Sequence, residues 1–223
     1  MISPFLSQHL ILIVAVAAAG YLLGSVPFGL LLTRLAGGGD IRAIGSGNIG
    51  ATNVLRTGRK GLAAATLLLD AGKGALAVLL AWGWFDGDPV LSTVAGLGAM
   101  IGHCFPVWLD FKGGKGVATM LGITFALDWQ IGCGSAATWL GMTAVTRISS
   151  VGGMSAAFAA PMVPFLGYWI SKNYNIDILG IPPDNALPYA VGLAIMAVVV
   201  LWRHRANIAR LRTGTEPRIG SKG

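Results

Sequence analysis

Three segments of this sequence mix glycine with hydroxyl, amide and cationic side chains, a combination suited to gripping an oxyanion. The first runs Gly45-Ser46-Gly47-Asn48-Ile49-Gly50-Ala51-Thr52-Asn53 and is followed by Arg56. Alternating glycines and small polar residues can fold into a tight loop that offers N–H, hydroxyl and amide groups. Arg56 adds a planar fork of donors matched to phosphate, although a plain flexible connection would use the same residue types. The second segment, Lys112-Gly113-Gly114-Lys115-Gly116-Val117-Ala118-Thr119, leads into an apolar stretch. A glycine loop with a lysine, feeding a helix, turns free N–H groups and the positive dipole end toward a phosphate. A membrane-edge turn anchored by lysines is the simpler alternative. The spacing is not that of a Walker A loop, and no strand precedes it as a dinucleotide fingerprint requires, so nucleotide binding is excluded. The third segment is Arg203-His204-Arg205-Ala206-Asn207-Ile208-Ala209-Arg210-Leu211, with Gly214 and Glu216 beyond it. A positively charged tail behind a membrane span explains the arginines but not His204, Asn207 or Glu216. His204 and Asn207, three apart, share one helix face.

Other ionisable residues stand alone. Asp70 and Lys73 sit inside an apolar run, where each charge costs roughly 2.5–3.5 kcal/mol on insertion scales. Their spacing lets them pair with each other, a structural use at least as natural as a catalytic one. His103, in Gly102-His103-Cys104-Phe105-Pro106, reads first as a core histidine close to the lysine loop. Cys104 and Cys133 form neither a disulfide framework nor a zinc pattern and read as small buried hydrophobes.

The elements that must carry these segments are membrane helices. Of 223 residues, 54% are hydrophobic and 11% charged, against about 25% charged in a soluble domain. The apolar residues form runs at about Leu10–Leu35, Gly61–Trp84, Val90–Leu109, Val117–Leu127, Gln130–Val145, Val151–Ile170 and Leu187–Trp202. About 20 apolar residues cross the hydrocarbon layer, so the spacing predicts an all-α, polytopic membrane helix bundle of about seven transmembrane helices, the fourth run being short. The 33 glycines suit close helix contacts in lipid. Charges between the runs alternate between basic and acidic segments, which places the basic ones in the cytoplasm, the N-terminus outside and the C-terminus inside. Residues 1–223 then form a single integral membrane domain with cytoplasmic motif loops at about 36–60, 110–117 and 203–223. The excess of 16 basic over 9 acidic residues is mainly a topology signal and does not imply nucleic acid.

The strings Gly24-Ser25-Val26-Pro27-Phe28-Gly29, Gly45 to Asn53, Asp70-Ala71-Gly72-Lys73-Gly74, Gly102-His103 with Phe111 to Thr119, and Arg203 to Ile208 occur in that order. Together they resemble the bacterial acyl-phosphate:glycerol-3-phosphate acyltransferase family (PlsY type), over roughly residues 10 to 217. The resemblance implies transfer of a fatty acyl group from acyl phosphate to the 1-hydroxyl of glycerol 3-phosphate. The products are lysophosphatidic acid and phosphate, in the first acylation of phospholipid synthesis. It implies no cofactor and no metal. It also implies a multi-pass enzyme of the bacterial plasma (inner) membrane whose active site faces the cytoplasm, without an obligate protein partner. Carried over by position, the catalytic set is Ser46, Arg56, Lys115, His103, His204 and Asn207. Gly45, Gly47, Asn48, Asn53, Gly113, Gly114, Gly116 and Thr119 bind phosphate, and Asp70, Lys73 and Glu216 are structural.

Two phosphate-bearing substrates need two neighbouring anion sites, and the sequence has two glycine loops with cations. An acyl phosphate is already activated, so positioning and charge stabilisation matter more than a strong nucleophile. There is no Gly-x-Ser-x-Gly elbow. Arg56, Lys115 and Ser46 are therefore expected to hold phosphate without a covalent acyl-serine. The proton acceptor is His103, His204 or a substrate phosphate oxygen. The competing reading is a small-anion transporter, against which stand the lack of an inverted repeat and the confinement of the polar strings to one face.

Overall fold

The structure is a computed structural model that describes residues 4–177 and 179–220. Among these residues the chain forms ten α-helices and two short 3-10 turns. The helices long and apolar enough to cross a bilayer are His9–Leu35, Lys60–Trp84 (α4), Pro89–Leu109, Ser149–Tyr174 (α8) and Pro183–Arg203 (α9). Val117–Leu127 (α6) is apolar but has 11 residues, and Trp129–Thr146 (α7) has 18 with a more polar sequence. All seven expected runs are largely helical; the third leaves its α-helix at Cys104 and ends in a 3-10 turn at Val107–Leu109.

The first run is not continuous. It divides into Pro4–Gly24 (α1) and Phe28–Leu35 (α2), because Pro27 lacks an N–H and disfavours helical backbone at Val26. The break leaves a carbonyl at membrane depth, where no water can satisfy it. Lys73 Nζ, from the middle of α4, donates to Val26 O at 2.8 Å and lies 5.6 Å from the Phe28 ring centroid. The stretch at 36–60 is also not wholly loop. It holds a 3-10 turn at Ile41–Ala43 and a short helix, Ala51–Leu55 (α3). The tail at 203–223 holds Arg205–Arg212 (α10).

Packing is closest between α1 and Pro89–Cys104 (α5), where the two backbones nearly touch. A Cβ added at Gly20 or Gly24 would lie 2.3 or 2.0 Å from the carbonyls of Ala95 or Ala99. One added at Gly98 or Gly102 would lie 2.3 or 2.1 Å from those of Ala17 or Tyr21. This is the reciprocal use of small residues four apart that lets membrane helices associate by van der Waals contact. The α4–α6 contact repeats it, with Gly122 against Ala71 O and Gly74 against Thr119 O. A core of Met100, Ile123, Tyr189, Leu193 and Met196 joins α5, α6 and α9. Leu68, Leu79, Phe158 and Val198 point outward into the space lipid would fill. Exposed tryptophans mark both ends: Trp84, Trp129 and Trp169 at one, Trp108 and Trp202 at the other, as the two interfaces of a bilayer favour.

Gly102→Leu should therefore force α1 away from α5 and lower the melting temperature in detergent by several degrees. Gly141→Leu, where an added Cβ meets nothing within 4 Å, should leave it nearly unchanged.

Candidate active site

One cleft with about 770 Å³ of unfilled space, part of it open to solvent, lies at the end of the bundle where α4 and α6 begin and α5 and α9 finish. Its wall takes residues from the first glycine segment, the lysine loop, the start of α8 and the end of α9. It also reaches inward to Leu67 and Asp70 of α4, Asp70 lying about 15 Å along that helix from its first residue.

Asn53 organises the first segment. It is 2% exposed, and the two N–H groups of its Nδ2 are shared among the carbonyls of Ile41 (3.0 Å), Ile44 (2.9 Å) and Asn48 (2.8 Å). Its Oδ1 accepts from Ser46 N at 3.1 Å and, at 3.4 Å, from Ser46 Oγ and Arg56 Nη1. One buried amide thus curls residues 41–48 around itself and fixes Ser46 and Arg56 side by side. Gly45 has φ +54, and a Cβ there would meet Asn53 Oδ1 at 2.6 Å, so only glycine fits that approach. Asn48 Oδ1 accepts from Gly50 N, closing an Asx turn before α3.

In the lysine loop, Gly113 N donates to Cys104 O and Gly114 N to His103 O. Their N–H groups thus face the protein, not the cleft, which differs from the expectation of free donors along the whole loop. The donors at the cleft are those at the start of α6, where Gly116 is the cap and Val117 and Ala118 line the wall. Gly114 rests against the His103 ring, and an added Cβ would fall 2.0 Å from Nε2. Lys115 lines the cleft and makes no hydrogen bond or ion pair with any described residue. Burial holds its ammonium pKa down to about 8; Glu216 opposes this, while Arg210, Arg56 and Arg203 add to it.

His204, 2% exposed, caps α9, and its Nδ1 lies 2.8 Å from Val200 O. A carbonyl only accepts, so Nδ1 carries the proton and Nε2 is left as an acceptor. Burial, partly opposed by that bond, lowers its pKa to about 4, and the ring is neutral at physiological pH. Asn207, 4% exposed, is not in the cleft wall; its Nδ2 donates to Glu216 Oε1 at 2.5 Å. Glu216 also accepts from Ser150 Oγ at 2.6 Å and Arg210 Nε at 2.7 Å. Burial works against its charge, but these three donors outweigh it and hold the carboxyl below its ordinary range. The carboxylate thereby ties the tail to α10 and to the first turn of α8.

Asp70, Lys73 and His103 form a buried cluster, with Lys73 Nζ 2.7 Å and His103 Nδ1 3.6 Å from Asp70 Oδ1. Asp70 and His103 reach the cleft wall. Thr119 does not: it is fully buried against Gly74. Among the described residues no cluster of His, Cys, Asp or Glu is arranged to hold a metal ion.

A family model described as glycerol-3-phosphate acyltransferase matches residues 14–214. The chain belongs to that family. It is 55% identical over 206 residues to the glycerol-3-phosphate acyltransferase of Erythrobacter litoralis, covering 92% of this chain and 94% of the relative. To that of Maricaulis maris it is 53% identical over 213 residues, covering 96% and 90%. Its structure resembles the crystal structure of PlsY (YgiH), an integral membrane glycerol 3-phosphate acyltransferase, in its glycerol 3-phosphate form. The TM-score is 0.78 at 35% identity, covering 93% of this chain and 96% of that one. The lysophosphatidic acid form gives 0.79 at 34%, covering 93% and 95%. This family member is thus a membrane acyltransferase, which sets aside the transporter reading.

Two groups of cleft residues escaped the sequence reading. Ser149 and Ser150 open α8 at the cleft, with Ser149 Oγ 3.3 Å from Thr52 Oγ1; the signal was a polar pair just before an apolar run. Trp139 lies in the wall from within α7, and nothing in its surroundings set it apart from an interfacial tryptophan. Asn53→Asp keeps the acceptor but removes the donors to three carbonyls, so activity should fall by about a hundredfold or more. Nitrogen-15 NMR of the histidines should find His204 neutral, protonated on Nδ1, from about pH 5 upward.

Proposed function

We propose that this enzyme transfers a fatty acyl group from acyl phosphate to the 1-hydroxyl of glycerol 3-phosphate, releasing lysophosphatidic acid and inorganic phosphate in the first acylation of phospholipid synthesis. The observation that carries this reading is the meeting, in one cleft, of two separately built anion-suited loops. Arg56 and Ser46 stand on one and Lys115 on the other. The first turns of α6 and α8 add donors and positive dipole ends.

In this reading Lys115 and the N–H groups at the start of α6 hold the glycerol 3-phosphate phosphate, with Ser149 at the start of α8; Gly113 and Gly114 shape the loop that carries Lys115. Arg56, Ser46 and the Gly45–Asn53 loop hold the acyl phosphate. Asn207 and Glu216 keep the end of α9 and the start of α8 in place, and the Asp70–Lys73 pair supports the inner wall beside His103. The 1-hydroxyl oxygen attacks the acyl carbon, and the bond from that carbon to the phosphate oxygen breaks. His204 Nε2 accepts a hydrogen bond from the attacking hydroxyl. A histidine with pKa near 4 is too weak a base to keep the proton at neutral pH. The proton therefore passes to the departing phosphate, which leaves the doubly charged acyl phosphate with a third negative charge on the freed oxygen and becomes hydrogen phosphate on taking the proton. No covalent acyl-enzyme is needed, because the donor is already activated.

The cleft draws on the first half of α4, the end of α5, the beginning of α6, the second half of α7 with the beginning of α8, and the end of α9. Such a meeting supports helices that alternate in direction, hence seven passes in a single membrane domain, with α6 the short one. Basic residues around that end, including Arg34, Arg56, Arg59, Lys60, Arg147 and Arg205, favour a cytoplasmic cleft and an outside N-terminus. The bacterial relatives favour the plasma membrane.

Purified protein in lipid vesicles should convert acyl phosphate and glycerol 3-phosphate to lysophosphatidic acid without added protein. Arg56→Ala or Lys115→Ala should abolish conversion, and full activity in both would refute the site. The charged form of Lys115 attracts phosphate and is lost as pH rises through about 8. Thus kcat/KM for glycerol 3-phosphate should fall above that pH. Lys115→Arg, whose cation persists beyond pH 12, should remove that alkaline fall.

A further inference from the structure

Arg203 reads in the sequence as one more positive charge behind a span, but its side chain turns inward. Its Nε donates to Gly114 O at 2.9 Å and its Nη2 to Gly113 O at 2.7 Å. The guanidinium carbon stands 5.2 Å from the Phe105 ring centroid, and that ring packs on Trp202 at 5.6 Å. Arg205, by contrast, is exposed and lies over Trp202 on the outside.

These bonds fix two successive peptide planes. The Gly113–Gly114 peptide is held at both edges, its carbonyl by Arg203 and its N–H by His103 O. The next peptide has its carbonyl on Arg203 Nε. A trans peptide is planar with C=O and N–H opposed, so the Lys115 N–H points away from Arg203. It donates to no described residue. Two adjacent glycines have the most backbone freedom of any dipeptide, and without an outside clamp this stretch would sample many orientations. A forked cation spans two neighbouring carbonyls; an ammonium is a point charge.

We propose that Arg203 is a positioning residue for acyl transfer: it clamps the Gly113 and Gly114 carbonyls so that the Lys115 N–H and side chain face the acceptor's phosphate. This rests on the assignment of that loop to glycerol 3-phosphate.

The test compares wild type, Arg203→Ala and Arg203→Lys in lipid vesicles with acyl phosphate and glycerol 3-phosphate, alongside hydrogen–deuterium exchange. Arg203→Ala should raise KM for glycerol 3-phosphate by about ten- to a hundredfold and leave KM for acyl phosphate within about twofold. Arg203→Lys should recover only part of the loss, since one ammonium cannot hold both carbonyls. Exchange should quicken at the Gly113–Gly116 amides in Arg203→Ala and stay unchanged in residues 45–53 and in α8. An unchanged KM for glycerol 3-phosphate, equal rises for both substrates, or unaltered exchange at 113–116 would each overturn the proposal. If wild type transferred no acyl group, the functional reading would fall, and exchange alone would still decide whether Arg203 holds the loop.

Discussion

Irregular backbone at or near membrane depth must have its carbonyls capped by protein donors, because lipid offers none. The active end of this protein is built from such stretches, and each is held by one buried or half-buried side chain. Lys73 caps Val26 where Pro27 interrupts the first span. Asn53 caps Ile41, Ile44 and Asn48, and Arg203 caps Gly113 and Gly114. At the outer edge Arg59 donates to Ala36 O at 2.6 Å. Two of the three inner caps are cations; Lys73 is paired with Asp70, so it is Arg203 whose capping of the backbone leaves positive charge beside the cleft.

That positive charge would be self-defeating if acids neutralised it. The two carboxylates near the cleft are occupied elsewhere: Asp70 faces Lys73 at 2.7 Å, and Glu216 takes donors from Ser150, Asn207 and Arg210. Among the described residues Lys115 is left without a hydrogen-bond or ion-pair partner. A desolvated ammonium is unfavourable in the empty protein, which is why its pKa sits near 8. In the proposed reaction an arriving phosphate would relieve that cost, so part of the selectivity for an anion would be built in before contact.

Much of the architecture was legible because membrane helices announce themselves by length and apolarity, and the helices after Gly61 begin and end close to where the runs do. The glycine-rich strings were legible as segments of a common site, in that the structure brings Ser46, Arg56 and Lys115 to one cleft. What escaped was long-range. Pro27 signals a break, but the acceptance of Lys73 at Val26 depends on α4 lying alongside. Asn53 read as one more donor to phosphate, whereas a buried amide satisfied by three carbonyls is a scaffold. Gly113 and Gly114 read as free donors, because sequence does not reveal that the carbonyls of His103 and Cys104 lie within reach. Arg203 was hidden among other arginines, whose count sets topology regardless of where each points.

The division of the cleft into two cationic halves follows from the proposed reaction itself. Two doubly charged phosphates about 7 Å apart repel by roughly 9 kcal/mol at an effective dielectric of 20. This is comparable to the lower end of the barrier reductions enzymes achieve. A single anion site could not bring donor and acceptor together against that repulsion, however well shaped. Arg56 on one loop and Lys115 on the other, each supported by N–H groups, let both phosphates enter while keeping them distinct. Charge must then flow toward the leaving phosphate as the acyl carbon changes partners. A fixed cation at that phosphate stabilises the transition state more than the ground state, which is the condition for catalysis rather than mere binding. A neutral His204 fits the same logic: a protonated ring would add a third positive charge but could no longer accept from the attacking hydroxyl.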